Sequence, residues 1–180
     1  AAVDEAGQWD MIWGRKILCK EHLHRDRLRL PVLLFLMSIA VIFLDQMVKR
    51  LIMSDMTLGM SIPVLPGIFH ITYIQNPGAA FGILAEQRWL FIAVGFLFVG
   101  AAVSFYRRLR CESRWMQCGT ALLLGGAVGN LIDRIRWGEV VDFLDFRIWP
   151  VFNIADISIV IGVGCMMYAL FRQDKKGAEG

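Results

Sequence analysis

Charge is missing from this sequence over long distances. Only 19% of its 180 residues are Asp, Glu, Lys or Arg, against about 25% in an ordinary soluble domain. None occurs from Trp89 to Tyr106, from Trp115 to Ile132 or from Ile157 to Phe171. Core helices of soluble domains keep one polar face. "WLFIAVGFLFVGAAVSFY" has none, which argues against a soluble helical bundle. Histidine is confined to His22, His24 and His70, and HExxH is absent, which removes the common zinc-peptidase arrangement. No Ser lies in a GxSxG elbow. The four cysteines form no CxxC and no metal-ligand spacing. Internal repeats and low-complexity segments are also absent.

What is present is apolar: 57% hydrophobic residues and a mean hydropathy of +0.54. A helix needs about 20 residues to cross a hydrocarbon core of ~30 Å. Stretches at about 31–52, 89–106, 115–132 and 154–171 meet that length. The predicted fold class is membrane α-helical, with four transmembrane helices. Thirteen of the nineteen Lys and Arg flank these stretches on one side, before the first, between the second and third, and after the fourth. By the positive-inside rule both termini are cytoplasmic, and segments 53–88 and 133–153 lie on the far side. Topology thus accounts for the basic N-terminus, and no nucleic-acid partner is needed. Cys19 and Cys111 fall on the cytoplasmic side and Cys118 and Cys165 within spans, so no disulfide is expected. The apolar run begins only near residue 30 and is full length, so the start does not read as a cleavable signal. The domain plan is a cytoplasmic extension over 1–30 containing a short helix, a four-span domain over 31–172 and a cytoplasmic tail over 173–180.

On the far side, "PVLPG" is a turn signal, and "IFHITYIQN" is rich in β-branched and aromatic residues. They predict a small β-rich extracytoplasmic element within 57–85, ending in "NPGAAFG", where Gly and Ala permit close backbone approach. In "GGAVGN", Gly125, Gly126 and Gly129 predict close packing by a neighbouring helix. Gly138 predicts the end of the third helix.

Polar residues gather beside the far-side ends of the spans: Asp45, Lys49, Asn76, Asn130, Asp133, Arg134, Asp142, Asn153 and Asp156. An ionisable group at membrane depth costs about 2.5–3.5 kcal/mol on insertion scales, so each needs a partner or a purpose. Asp45 and Lys49 stand four apart on one helix face and can pair. Asp133 and Arg134 read as a second anchor pair. Asn153 followed by Asp156 has the spacing of a reciprocal helix cap, which accounts for both without any chemistry. Asp142, in "EVVDFL", is harder to explain, and its structural alternative is pairing with Arg134 or Arg136. Asp145 reads as a solvated loop acid. Two carboxylates in one partly dry site share a proton. One then takes a proton from water while the other gives one to a leaving group. Asp142 and Asp156 suggest that chemistry, which needs no metal or covalent intermediate.

Five stretches, "DQMVK", "NPGAAFG", "GGAVGNLIDR", "GEVVDF" and "FNIAD", occur in an order that resembles the bacterial lipoprotein signal peptidases (signal peptidase II) over about residues 31–172. The resemblance implies an aspartyl endopeptidase of the bacterial inner membrane. Such an enzyme removes signal peptides from prolipoproteins just before a diacylglyceryl-modified cysteine, uses no cofactor or metal, and binds globomycin-type inhibitors. It implies Asp142 and Asp156 as the catalytic pair, with Asn76, Asn130, Arg134 and Asn153 in the site. Asp45, Lys49 and Asp133 are expected to be structural. Only 14 positions separate the two acids, fewer than in some relatives, so the covering loop differs in reach. The competing classes are a small polytopic transporter, which would favour repeats and mid-depth polar residues, and a lipid-binding protein with no need of two far-side acids.

Overall fold

The computed structural model describes residues 29–78, 87–105, 109 and 112–178. The N-terminal extension with its expected helix, Cys19, Cys111 and the 79–82 part of "NPGAAFG" lie outside the described residues. Four helices carry the architecture: α1 (Arg29–Asp55), α2 (Arg88–Ser104), α3 (Arg114–Arg136) and α4 (Ile154–Ala178). A small antiparallel sheet of β1 (Ser61–Leu65), β2 (Phe69–Asn76) and β3 (Val140–Asp145), in that spatial order, closes one end. α3 is the central helix and packs against α1, α2 and α4.

The molecule is inverted relative to a soluble domain. Its helix exteriors are apolar: Phe35, Phe43, Leu97, Val160 and Phe171 are all more than half exposed. The largest fully buried side chains include Lys49, Asn153, Asp45 and Asp142. Apolar surface on this scale is stable only against lipid or a partner. By length and composition, α3 and the Ile154–Gln173 part of α4 can cross a membrane, while the apolar α2 is shorter. α1 is long enough but carries Asp45, Lys49 and Arg50 in one stretch.

The glycines of α3 act as the sequence predicts. A Cβ on Gly126 would collide with the carbonyl oxygen of Ala155 in α4, and one on Gly125 would stand 2.9 Å from Val41 Cβ in α1. Lower down, Gly119 and Gly162 face each other across the α3–α4 seam. Ser38 Oγ adds a 2.9 Å bond to the Ala121 carbonyl. The start of α3 is capped by Ser113, whose hydroxyl accepts the Met116 N–H. Its end turns at Gly138, at φ 89°, which L side chains avoid. Two of its final carbonyls, on Arg134 and Ile135, accept from the Arg88 guanidinium, in the case of Arg134 beside the Gly138 N–H.

Strand β3 is not anticipated by the sequence. "VVDFLD" is a short, nearly continuous apolar run, and periodicity alone cannot assign such a run. In β1, the "PVL" expected at a turn belongs to the strand, and the turn falls at Pro66–Gly67. Pro63 is tolerated because β1 is the sheet edge. β2 meets β3 with Ile74 opposite Asp142 and Asn76 opposite Val140, after a register shift between Ile71 and Ile74.

Gly126→Ala is expected to lower the thermal midpoint in detergent, by the equivalent of about 1–3 kcal/mol for an overpacked contact. Gly164→Ala, where a Cβ meets nothing within 4 Å, should leave it level or higher. Equal midpoints for the two variants would refute the close-contact account of this seam.

Candidate active site

Asp142 is the third residue of β3 and is 2% exposed. Asp156 is the third residue of α4 and is half-buried. One residue links them. Asn153 Nδ2 donates to Asp142 Oδ1 at 2.6 Å, and the Asn153 backbone N–H donates to Asp156 Oδ2 at 3.1 Å. In return, Asn153 Oδ1 accepts the Asp156 N–H at 2.9 Å. This is the reciprocal cap read from the sequence, and it orders the head of α4. The cap uses only one oxygen of Asp156. The other, Oδ1, accepts from Asn130 Nδ2 at 2.8 Å.

The second oxygen of Asp142 is held from the sheet. Asn76 lies two residues beyond Ile74, which pairs with Asp142, so the two side chains share a face. Asn76 Nδ2 donates to Asp142 Oδ2 at 2.9 Å, and Asn76 Oδ1 accepts the Gly78 N–H. Asp142 therefore meets amide donors rather than Arg134 or Arg136. Burial pushes its carboxyl from the ordinary 3.8 up to about 7, and the charge of Asp156 adds to the rise. The amides of Asn76 and Asn153 and the Lys49 ammonium act in the other direction. The result is a pair with divided surroundings: a closed acid with a raised pKa and a half-buried acid at a helix head.

Arg134 Nη2 donates to the Gly78 carbonyl at 3.2 Å, with the guanidinium 4.6 Å above the Phe91 ring. It thus holds the segment that carries Asn76, and its charge interacts with those of Asp156 and Asp142. The expected Asp133–Arg134 pair does not form. Adjacent helical residues point apart, and Asp133 instead takes Lys49 at 2.7 Å. Asp45 pairs with Lys49 as expected, at 2.9 Å. Asp145 is not a solvated loop acid. It is 4% exposed and accepts from Thr72 Oγ1, the Arg147 N–H and the Arg147 guanidinium. The sequence reading passed over Gln46, which donates to Asp133 Oδ1 at 2.7 Å. Its signal was its place beside Asp45. It also passed over Arg88, whose only signal was a cation at the head of an apolar run.

An apolar-surfaced helical protein with two amide-held carboxylates at one end is a membrane protein equipped for acid–base hydrolysis. The comparisons agree. The model of the family described as signal peptidase (SPase) II matches residues 37–172. The chain is 49% identical over 145 residues to a lipoprotein signal peptidase of Halothermothrix orenii, covering 81% of this chain and 99% of that one. It is 44% identical over 146 residues to that of Pelotomaculum thermopropionicum, covering 81% and 96%. A bacterial membrane enzyme solved by the in meso method at 2.3 Å resolution superposes with a TM-score of 0.75 at 37% identity, covering 79% of this chain and 90% of that one. The chain belongs to the signal peptidase II family.

The raised pKa of Asp142 has a consequence for stability. Unfolding releases the carboxyl to its ordinary 3.8, so the unfolded state loses its proton first as pH rises. The stabilising contribution is complete below that value and is gone above about pH 7. Asp142→Asn should therefore unfold at a higher temperature than the parent at pH 8, with the gap closing near pH 4. A gap that stays constant across this range would contradict the assignment.

Proposed function

We propose that Asp142 and Asp156 are the catalytic pair of an aspartic endopeptidase that removes signal peptides from prolipoproteins. Membership of the signal peptidase II family carries the reaction class. The relatives named lipoprotein signal peptidase support the substrate class. The observation that carries the residue assignment is the double donation by Asn153, one bond to each acid.

In this reading Asp156 is the base at rest. It sits at the head of α4, in the positive end of the macrodipole, and accepts an N–H donor on each oxygen. Asp142 holds the proton. Water attacks the scissile carbonyl as Asp156 takes a water proton. Asp142 gives its proton as the C–N bond breaks and the amine leaves. The proton on Asp156 then passes to Asp142, which restores both groups. Asn76 and Arg134 hold the substrate backbone or the developing oxyanion, and Asn130 and Asn153 keep the acids in place.

The membrane arrangement is part of the same proposal. All four helices of the 31–172 domain span the bacterial inner membrane, with the 1–30 extension and 173–180 tail cytoplasmic and the sheet and acids on the extracytoplasmic face. The distribution of Lys and Arg supports this orientation. α2, with 17 residues, spans ~26 Å, which a locally thinned bilayer accommodates. The substrate's diacylglyceryl chains remain in lipid while the bond before the modified cysteine reaches the acids. Globomycin-type peptides compete for the same place.

Purified protein in detergent should cleave a diacylglyceryl-modified prolipoprotein before that cysteine. Asp142→Asn and Asp156→Asn should each remain folded and lose about 100- to 10,000-fold in turnover. Near-parental turnover in either folded variant would overturn the assignment.

A further inference from the structure

Lys49 is 1% exposed on α1. Its ammonium lies 2.9 Å from Asp45 Oδ2, 2.7 Å from Asp133 Oδ2 and 2.9 Å from Asn130 Oδ1. An ammonium has three N–H donors and no acceptor. Three partners exhaust it, and each must present oxygen. Two carboxylates would suffice to neutralise a buried cation. The third bond goes to a neutral amide, and that bond has a direction.

We propose that Lys49 is a positioning residue of the peptidase site, which fixes the orientation of the Asn130 amide and through it the donation of N–H bonds onto both Asp156 and Asp142. The inference rests on the reading of those two acids as the catalytic pair. Because Lys49 demands oxygen, Asn130 must turn Nδ2 to its other side, where Asp156 Oδ1 stands at 2.8 Å. Asn130 Oδ1 also accepts from Asn153 Nδ2 at 3.1 Å. That contact fixes the second amide, whose nitrogen reaches Asp142 Oδ1 and whose oxygen takes the Asp156 N–H. With Asn130 reversed, two oxygens would face each other at Asp156, and Asn153 Nδ2 would meet a donor at Asn130 while keeping only Asp142 and the Val141 carbonyl as acceptors.

The carboxylates that hold Lys49 have a second task. Asp133 Oδ2 accepts the Val141 N–H at 3.3 Å, and Asp45 Oδ1 accepts the Ala155 N–H at 3.0 Å. Val141 directly precedes Asp142, and Ala155 directly precedes Asp156. One ammonium therefore governs the backbone attachment of each acid and the amides on its carboxyl. The charges that meet Asp142 come from Asp156 on α4, Arg134 on α3 and Lys49 on α1. Loss of the Lys49 cation makes ionisation harder at Asp142.

The test is kinetic, on full-length protein with lipid-modified prolipoprotein, using Lys49→Met, Asp45→Asn/Lys49→Met, Asp142→Asn and Asp156→Asn. The double variant removes one charge of each sign and leaves an amide oxygen for the Ala155 N–H, so it folds where the single variant fails. The expected result is a fall in kcat of about 100-fold in each folded Lys49 variant with KM nearly unchanged. In Lys49→Met the limb of the pH–rate bell set by Asp142 should move upward. Parental kcat in either folded variant, or an unmoved bell in Lys49→Met, overturns the inference. So does failure of both to fold, which would make Lys49 a folding residue alone. These outcomes stand apart from failure of the catalytic assignment, which would show as activity in Asp142→Asn or Asp156→Asn.

Discussion

A buried ammonium with no access to water must have every proton taken, and the core of this protein is arranged around that demand. Lys49 on α1 ties together Asp45 on its own helix and Asp133 and Asn130 on α3. The remaining oxygens of the two carboxylates do not stay idle. Asp45 Oδ1 accepts the Ala155 N–H at the start of α4 and Asp133 Oδ1 accepts from Gln46, while Asp133 Oδ2 shares itself between Lys49 and the Val141 N–H of β3. Breaking such a cluster by removing one partner leaves an uncompensated buried charge, which costs far more than the cluster contributes when whole. The ion cluster is therefore a constraint on geometry first. Four elements meet at it, and none can shift without exposing a charge to an apolar interior.

Close helix approach makes this possible. Gly129 lies against Asp45, and a Cβ there would stand 2.8 Å from Asp45 Oδ2. The glycine makes room for a carboxylate rather than for another helix backbone. Gly126 does the second job, letting α3 press on the Ala155 carbonyl one residue before Asp156. Small residues serve both purposes in apolar surroundings, where van der Waals packing and interhelical hydrogen bonds hold helices together.

The two acids are chemically alike and environmentally different. Asp142 comes in on a strand whose residues are almost all buried, while Asp156 sits at a helix head with partial exposure. Burial and the charge of Asp156 raise the proton affinity of Asp142, and the proposed division into acid and base rests on that difference in surroundings. The sheet contributes by register. The shift between Ile71 and Ile74 sets Ile74 opposite Asp142, and Asn76 then reaches Asp142 from the same face. The surroundings of Asp142 thus depend on a strand pairing as much as on the helices.

By itself, the sequence determined the apolar helices, the glycine seam, the cap at Asn153 and Asp156, and the Asp45–Lys49 pair. All of these are local: a run of uncharged residues, a helical period, a spacing of three or four. It also supplied the motifs from which the family was legible. Only the tertiary structure decided that Asp133 belongs to Lys49 and not to Arg134, that Asp145 is buried, that "VVDFLD" is a strand, and that three asparagines aim their nitrogens at the acids. Those outcomes depend on groups far apart in the chain, such as Asp45 with Ala155 or Asn76 with Asp142. A side chain's neighbours in sequence limit where it can point. Which donor meets which acceptor is settled only when water is excluded and every buried polar atom must find a partner.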